Sequence, residues 1–291
     1  MRKQTKAYLF ALSAILFWST VATAFKISLR YYDYVQLLML ATATSIIIFL
    51  VITIVECKWN LFVSQSTKDI LNSALLGFLS PFAYYTVLLK AYSLLPAQVA
   101  QPLNYTWPVV LVLLSAPLLK QRLTWIKVIA ALVSFAGVFM IATEGNLSEF
   151  RIKQPLGFTL AVSSSVIWAL FWLFNVRDKR DEIIKLLTNF IFGFVYILIY
   201  VVFFGSFDFP VDYHLLAPVY VGFFELGFSF FLWMKALQLT EHTSKISNLV
   251  FLSPFLSLVF IALILGENIY YTTIIGLVLI VAGIIIERSG K

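Results

Sequence analysis

The sequence predicts an all-α polytopic membrane protein, with ten transmembrane helices arranged as two inverted five-helix repeats. Three observations carry that expectation. Of 291 residues, 61% are apolar and only 12% are charged, about half the charge of an ordinary soluble domain. Ten apolar segments of roughly spanning length follow one another along the chain. The two halves align position by position, and the charges of their aligned loops are exchanged.

The composition excludes a soluble globular domain, a disordered chain and a disulfide scaffold. The single cysteine, Cys57, rules out an intramolecular disulfide and any cysteine-based metal site. The net charge of +7 is spread in short clusters between apolar runs. That pattern sets membrane orientation and does not build a phosphate-binding face, so no nucleic-acid partner is expected.

The segments lie at about 7–27, 35–55, 69–94, 97–118, 124–143, 155–176, 184–204, 215–238, 243–265 and 271–287. None shows the strict alternation of a barrel strand. Segment 1 follows Arg2, Lys3 and Lys6 and contains Ala22-Thr23-Ala24, which resembles a cleavable signal. Its spanning length, and its repetition in segment 6, argue for retention. Segments 2 to 5 are joined by short loops, the longest at 56–68. Segments 6 to 10 follow the linker 144–154, with a second long loop at 205–214. No Ser- and Arg-rich transit peptide precedes the first segment, which points to a bacterial or archaeal plasma (inner) membrane. With the N-terminus inside, fifteen Lys and Arg fall on the inner side and four on the outer, so both termini are expected in the cytoplasm.

The repeat is read from offsets. Gly77-Phe78, Lys90 and Ala91 in segment 3 meet Gly222-Phe223, Lys235 and Ala236 in segment 8, 145 positions on. After a one-residue insertion the offset is 146, and Pro108 meets Pro254 while Gly137 meets Gly283. Trp18 meets Trp168 at offset 150. The domains are therefore residues 1–143 and 155–291, with 144–154 as linker. Five helices is an odd number, so the second copy must enter from the opposite face. The loops agree: the 4–5 loop has Lys120 and Arg122, whereas its counterpart has Gly266 and Glu267. Inverted repeats are an architecture of alternating-access transporters.

Taken together, the chain resembles the EamA-type carriers of the drug/metabolite transporter superfamily. The matching features are Ala91 and Ala236, Pro108 and Pro254, the Leu265-Gly266-Glu267 turn, and Gly276 and Gly283. The first-half turn departs from the pattern, reading Lys120-Gln121. The resemblance implies a basket of ten helices around a central cavity, lined mainly by segments 1, 3, 4, 6, 8 and 9. It also implies export of amino acids or other small metabolites.

The polar residues inside the spans are the candidates for chemistry. Gln98, Gln101 and Tyr105 share a helical face with Pro108, and Asn104 and Asn248 lie close to the corresponding faces of segments 4 and 9. Either they bind substrate or they bond a neighbouring helix. Pro108 and Pro254 interrupt the backbone ladder and are candidate hinges. Trp18 and Trp168 lie halfway along their segments, where an aromatic wall and lipid-facing packing both fit. Lys90 and Lys235 either snorkel to the interface or receive an anionic substrate group. Glu225 is the one acid deep in a span and a candidate for proton coupling. His214 and His242 belong to no metal motif, and neither a metal nor another cofactor is expected.

The leading expectation is a secondary transporter, not an enzyme, with the bilayer, a small carboxylated metabolite such as an amino acid, and protons as partners. No nucleotide-binding motif is present, so ATP is not the direct driver. Nucleobases, drugs or phosphorylated metabolites are the alternative substrates. An intramembrane enzyme lacks a nucleophile–base pair here, and a non-transporting subunit leaves the inward polar stripe without a purpose.

Overall fold

The computed structural model describes residues 3–119, 124–146, 152–240, 246 and 249–289, and all regular secondary structure among them is helical. Seven helices are long and apolar enough to cross a membrane. They are Lys3–Ser28, Tyr34–Val55, Thr67–Leu94, Trp125–Ala142, Pro155–Asn175, Glu182–Phe204 and Tyr213–Leu239, corresponding to segments 1, 2, 3, 5, 6, 7 and 8. Segment 10 is a shorter apolar stretch, Tyr271–Ile286, as is Leu252–Leu265 in segment 9. Segment 4 is the departure from expectation. It is two helices, α6 (Ala97–Asn104) and α7 (Trp107–Leu119), each too short to span alone. The interruption falls at Tyr105 and Thr106. Tyr105 leaves helical geometry (φ −66°, ψ 1°), and the amides of Val109 and Val110 restart on the Thr106 carbonyl.

Contacts group the chain into two compact units, each drawn from both halves of the sequence. Unit 1 comprises Met1–Phe82 and Asp178–Phe260; unit 2 comprises Ala83–Arg177 and Ile261–Lys291.

In unit 1, helix α1 (Lys3–Ser28) packs against α12 (Phe228–Leu239) and α13 (Leu252–Phe260). Its buried face is Ala7, Ala11, Ala14 and Ile15, while Leu9, Leu12 and Leu16 are exposed. The three alanines inside and the leucines outside follow the pattern expected when lipid, not water, surrounds the helix, because close backbone approach drives association. Helix α2 (Tyr34–Val55) runs beside α10 (Glu182–Phe204). It begins with a capping box. The Asp33 carboxylate accepts from the amides of Val35 and Gln36, and the Gln36 side chain accepts from the Asp33 amide. Helix α4 (Thr67–Gly77) also packs on α10. Gly77 fits because a Cβ there would collide with the backbone carbonyl of Asn189.

Segments 3 and 8 are both irregular. Phe78–Ala83 and Gly222–Gly227 form wider, π-type turns. Within them Ser80 (φ −148°, ψ 125°) and Gly227 (φ −114°, ψ −88°) leave helical geometry. The carbonyl of Gly222 accepts a hydrogen bond from Ser45 Oγ at 2.8 Å, so this interruption is satisfied by the neighbouring helix.

In unit 2, α5 (Tyr84–Leu94), α6 and α7 pack on α9 (Pro155–Asn175), and α8 (Trp125–Ala142) pairs closely with α14 (Tyr271–Ser289). A Cβ on Gly137 would run into the carbonyl of Gly276, and a Cβ on Gly276 into that of Gly137. Gly283 lies against the carbonyl of Ala130 in the same way. Ala130 and Gly137 on α8 and Gly276 and Gly283 on α14, seven positions apart on each helix, thus form one close seam.

Gly137→Val and Gly276→Val should each lower stability by about 1–3 kcal/mol through overpacking. Thermal unfolding in detergent measures it, and Gly266, whose Cβ position is open, sets a contrasting case in which only the left-handed φ of +69° penalises a side chain.

Candidate functional site

Within unit 2 the interrupted segment 4 gathers most of the expected polar residues, and it separates them into two groups. Gln98 belongs to the structural one. Its amide nitrogen donates to the carbonyl of Asn268 (2.9 Å), and its amide oxygen accepts from the Tyr270 amide (2.8 Å). Glu267 completes this end. Its two carboxylate oxygens accept from the amides of Ala97 and Gln98, at 2.9 and 3.2 Å. One carboxylate thereby satisfies two of the free amides at the start of α6 and complements the positive end of its dipole. Gly266 provides the left-handed turn that aims it.

Asn104 and Trp168 belong to the second group. Asn104 accepts from the hydroxyl of Tyr84 (3.1 Å) and donates to Ser164 Oγ (2.9 Å). Thr106 Oγ1 bonds Ser165 Oγ at 3.0 Å. The Tyr84 ring stacks on Trp168 (4.5 Å between centroids, 24° between planes), and Trp168 stacks on Phe171 (5.2 Å, 17°). An aromatic stack therefore runs beside an amide–hydroxyl chain, with both faces set by α9 and the break in segment 4. One turn before Asn104, Gln101 is buried and its amide oxygen has no hydrogen-bond partner. A buried acceptor left unpaired costs about 1–3 kcal/mol. Tyr105 is half-buried at the interruption, and Lys90 is half-buried within α5, before its last turn. Pro108 is the second residue of α7, where a missing amide costs nothing, so it starts a helix instead of kinking one.

Unit 1 holds the remaining candidates. Trp18 packs against Phe230 (5.8 Å) and Trp233 (5.4 Å). Pro254 is buried in the first turn of α13. Glu225 sits in the wider turns of segment 8 and is half-buried. Asn248 lies outside the described residues.

Lys235 is ion-paired. Its ammonium lies 2.7 Å from Glu56 and 5.2 Å from the centre of the Phe231 ring. Glu56 is shared with Lys58 (2.7 Å), which reaches Asp181 (2.8 Å). A second network lies on the same loops. Arg180 pairs with Asp178 at 2.5 Å and also donates to Gln65 (2.6 Å) and Ser73 (2.8 Å). Lys185, almost fully buried, is held by Glu182 (2.8 Å). Hydrogen bonds from Lys235 and Lys58 hold the Glu56 carboxyl below its ordinary value. For Asp178, burial pushes the carboxyl up, but the Arg180 hydrogen bonds outweigh it and the result is a lowered pKa.

Sequence reading did not single out Tyr84, Glu56, Asp178 or Arg180. Tyr84 carries no charge to attract notice. The other three lie in loops, where charge reads as orientation only. Glu267 was visible as part of the turn motif, without its role.

A helical membrane protein whose interrupted spans carry buried polar and aromatic side chains belongs to the class of multi-pass carriers. The comparison with known families narrows this: residues 5–143 and 155–287 match the EamA-like transporter family, and the chain belongs to it. A transporter of Clostridium kluyveri without assigned substrate is 26% identical, over 98% of this chain and 94% of its own. One from Archaeoglobus fulgidus is 25% identical, over 94% and 95%. The aromatic amino acid exporter YddG of Ancylobacter novellus is 28% identical over 52% of this chain and 53% of its own. A solved crystal structure has the same fold, with a TM-score of 0.69 over 99% of this chain and 98% of its own, at 21% identity.

Asp178→Asn removes the nearer of two carboxylates that face Arg180, leaving Asp69 at 3.8 Å, and stability should fall by about 1–3 kcal/mol. Because the folded Asp178 pKa is lowered, its contribution is fully present above the ordinary 3.8 and is lost as the pH falls through the folded value. Thermal unfolding of wild type and variant should therefore converge toward strongly acid pH.

Proposed function

We propose that this protein is a secondary transporter that exports a small carboxylated metabolite across the plasma membrane by alternating access, with an aromatic amino acid as the first candidate substrate. The observation that carries this reading is the stack of Tyr84, Trp168 and Phe171 beside the Tyr84–Asn104–Ser164 hydrogen-bond chain. In this reading the rings, which stack on one another in the substrate-free protein, part to take an aromatic side chain, and the Asn104 amide with the Tyr84 and Ser164 hydroxyls meets its polar groups. The name of the partly matching YddG relative supports the same substrate class.

The architecture proposed is ten spans in two inverted repeats. Its support lies in contacts that recur under the sequence offsets. Gly137 on Gly276 is answered by Gly283 on Ala130, and Gly77 on Asn189 by Gly222 on Ala41. The interruptions at Ser80 and at Gly222–Gly227 occupy aligned stretches of segments 3 and 8. The interruptions are paired between the halves, and Pro108 and Pro254 sit in the first turns of the helices that follow the break of segment 4 and the turn at Val250 and Phe251 in segment 9. In this reading the end of unit 1 that carries Lys58, Arg180, Lys185 and Lys235 faces the cytoplasm. Within unit 1, Lys235 receives a substrate carboxylate and Glu225 carries the coupled proton; within unit 2, Gln101 offers its unpaired oxygen to a donor.

The test is counterflow of labelled L-phenylalanine in proteoliposomes, with and without a pH gradient. Trp168→Ala should raise the half-saturation concentration roughly three- to tenfold. Asn104→Ala should do the same, with a loss of stability of about 1–3 kcal/mol from the hydrogen bonds it breaks. Glu225→Gln should remove the response to the pH gradient and leave exchange intact. Uptake that ignores all three substitutions would overturn the site.

A further inference from the structure

We infer that Glu56 is a built-in competitor for the substrate: its carboxylate occupies Lys235 in the resting carrier, and an incoming carboxylate replaces it. The inference rests on the reading above that Lys235 receives the substrate anion, and it assigns Glu56, a residue outside the spans, as a specificity determinant.

Three features of the geometry support it. The Lys235 ammonium lies 2.7 Å from the Glu56 carboxylate, and the lysine side chain keeps 34% of its surface exposed, so a solute can reach it. Phe231 lies beside the same ammonium, 5.2 Å from ring centre to nitrogen, on the turn before Lys235. Helix α12 thus presents a cation next to a half-exposed ring, which matches a carboxylate joined to an aromatic group. Finally, Glu56 has a second cation. Lys58 holds it at 2.7 Å and is itself held by Asp181 at 2.8 Å. When Lys235 turns to another carboxylate, Glu56 keeps Lys58, so no charge is left without a counter-ion. Exchange of one charge-assisted hydrogen bond for another is close to neutral in free energy, as a reversible step requires. A strut meant only to hold α12 needs no such fallback.

The mechanism also filters substrates. A solute lacking a carboxylate cannot displace Glu56 and leaves Lys235 closed. One bearing a carboxylate opens it, at the cost of competing with a tethered rival.

Counterflow of L-phenylalanine in proteoliposomes tests this with wild type, Glu56→Gln, Lys235→Ala and the double variant. Removing the competitor should lower the half-saturation concentration roughly two- to fivefold, without a matching change in maximal rate. Once Lys235 is alanine, Glu56→Gln should have no effect on half-saturation. A purely structural pair would instead lower maximal rate and thermal stability, and would not improve affinity. An unchanged or raised half-saturation in Glu56→Gln, with phenylalanine still carried, overturns the role of Glu56 and leaves the substrate reading standing. Failure of wild type to move phenylalanine at all overturns the substrate reading, and this inference with it. A measurement on wild type guards against a variant that does not fold. Cys57, the sole cysteine and exposed next to Glu56, should change its maleimide labelling rate at least about twofold with saturating phenylalanine. It should not respond to phenylalaninamide, which lacks the carboxylate; equal rates in all three conditions overturn the displacement.

Discussion

A backbone amide or carbonyl in hydrocarbon must find its partner within the protein, and this constraint governs the structure more than any single side chain. Continuous helices meet it without help, and most spans here are continuous. Segments 3, 4, 8 and 9 are not: the chain leaves helical geometry at Ser80, at Tyr105, at Gly227 and at the turn of Val250 and Phe251. Ser45 serves the carbonyl of Gly222, and the Thr106 carbonyl restarts the helix of segment 4. The interruptions are also where polar side chains such as Asn104 and Glu225 gather.

Close packing follows from the same environment. Without a hydrophobic drive between helices, association depends on backbones approaching each other. Gly77, Gly137, Gly222, Gly276 and Gly283 each stand where a Cβ would strike a neighbouring carbonyl. Each contact lies within one compact unit, and each unit is assembled from both sequence halves. Charge is handled separately, at the helix ends, where Asp178, Arg180, Glu182 and Lys185 tie loops together with partners already half out of water.

The sequence made the helical class, most span positions and the glycine seam legible, because each depends on hydropathy and spacing along one chain. It also marked Gln98, Gln101 and Asn104 as residues that need partners. It did not separate them. Gln98 is consumed by the backbone of 268 and 270, Asn104 joins Tyr84 and Ser164, and the oxygen of Gln101 has no partner. Spacing on one helix says which residues share a face, but not which atoms stand opposite. The same limit explains the prolines. A proline in an apolar run reads as a kink, whereas Pro108 sits just past a full interruption.

What the sequence determined by itself is therefore one-dimensional: a membrane chain, its helical spans, and an orientation bias written in Lys and Arg. Its family was equally readable, since the motifs keep their order and separation. Tertiary structure alone decided the pairings. That Lys235 is held by Glu56, 179 positions away along the chain, and that Glu267 caps α6, depend on helices brought together by packing. The physical reason is that burial and charge complementarity act through space. Hydropathy, which the sequence does display, places residues only along the membrane normal.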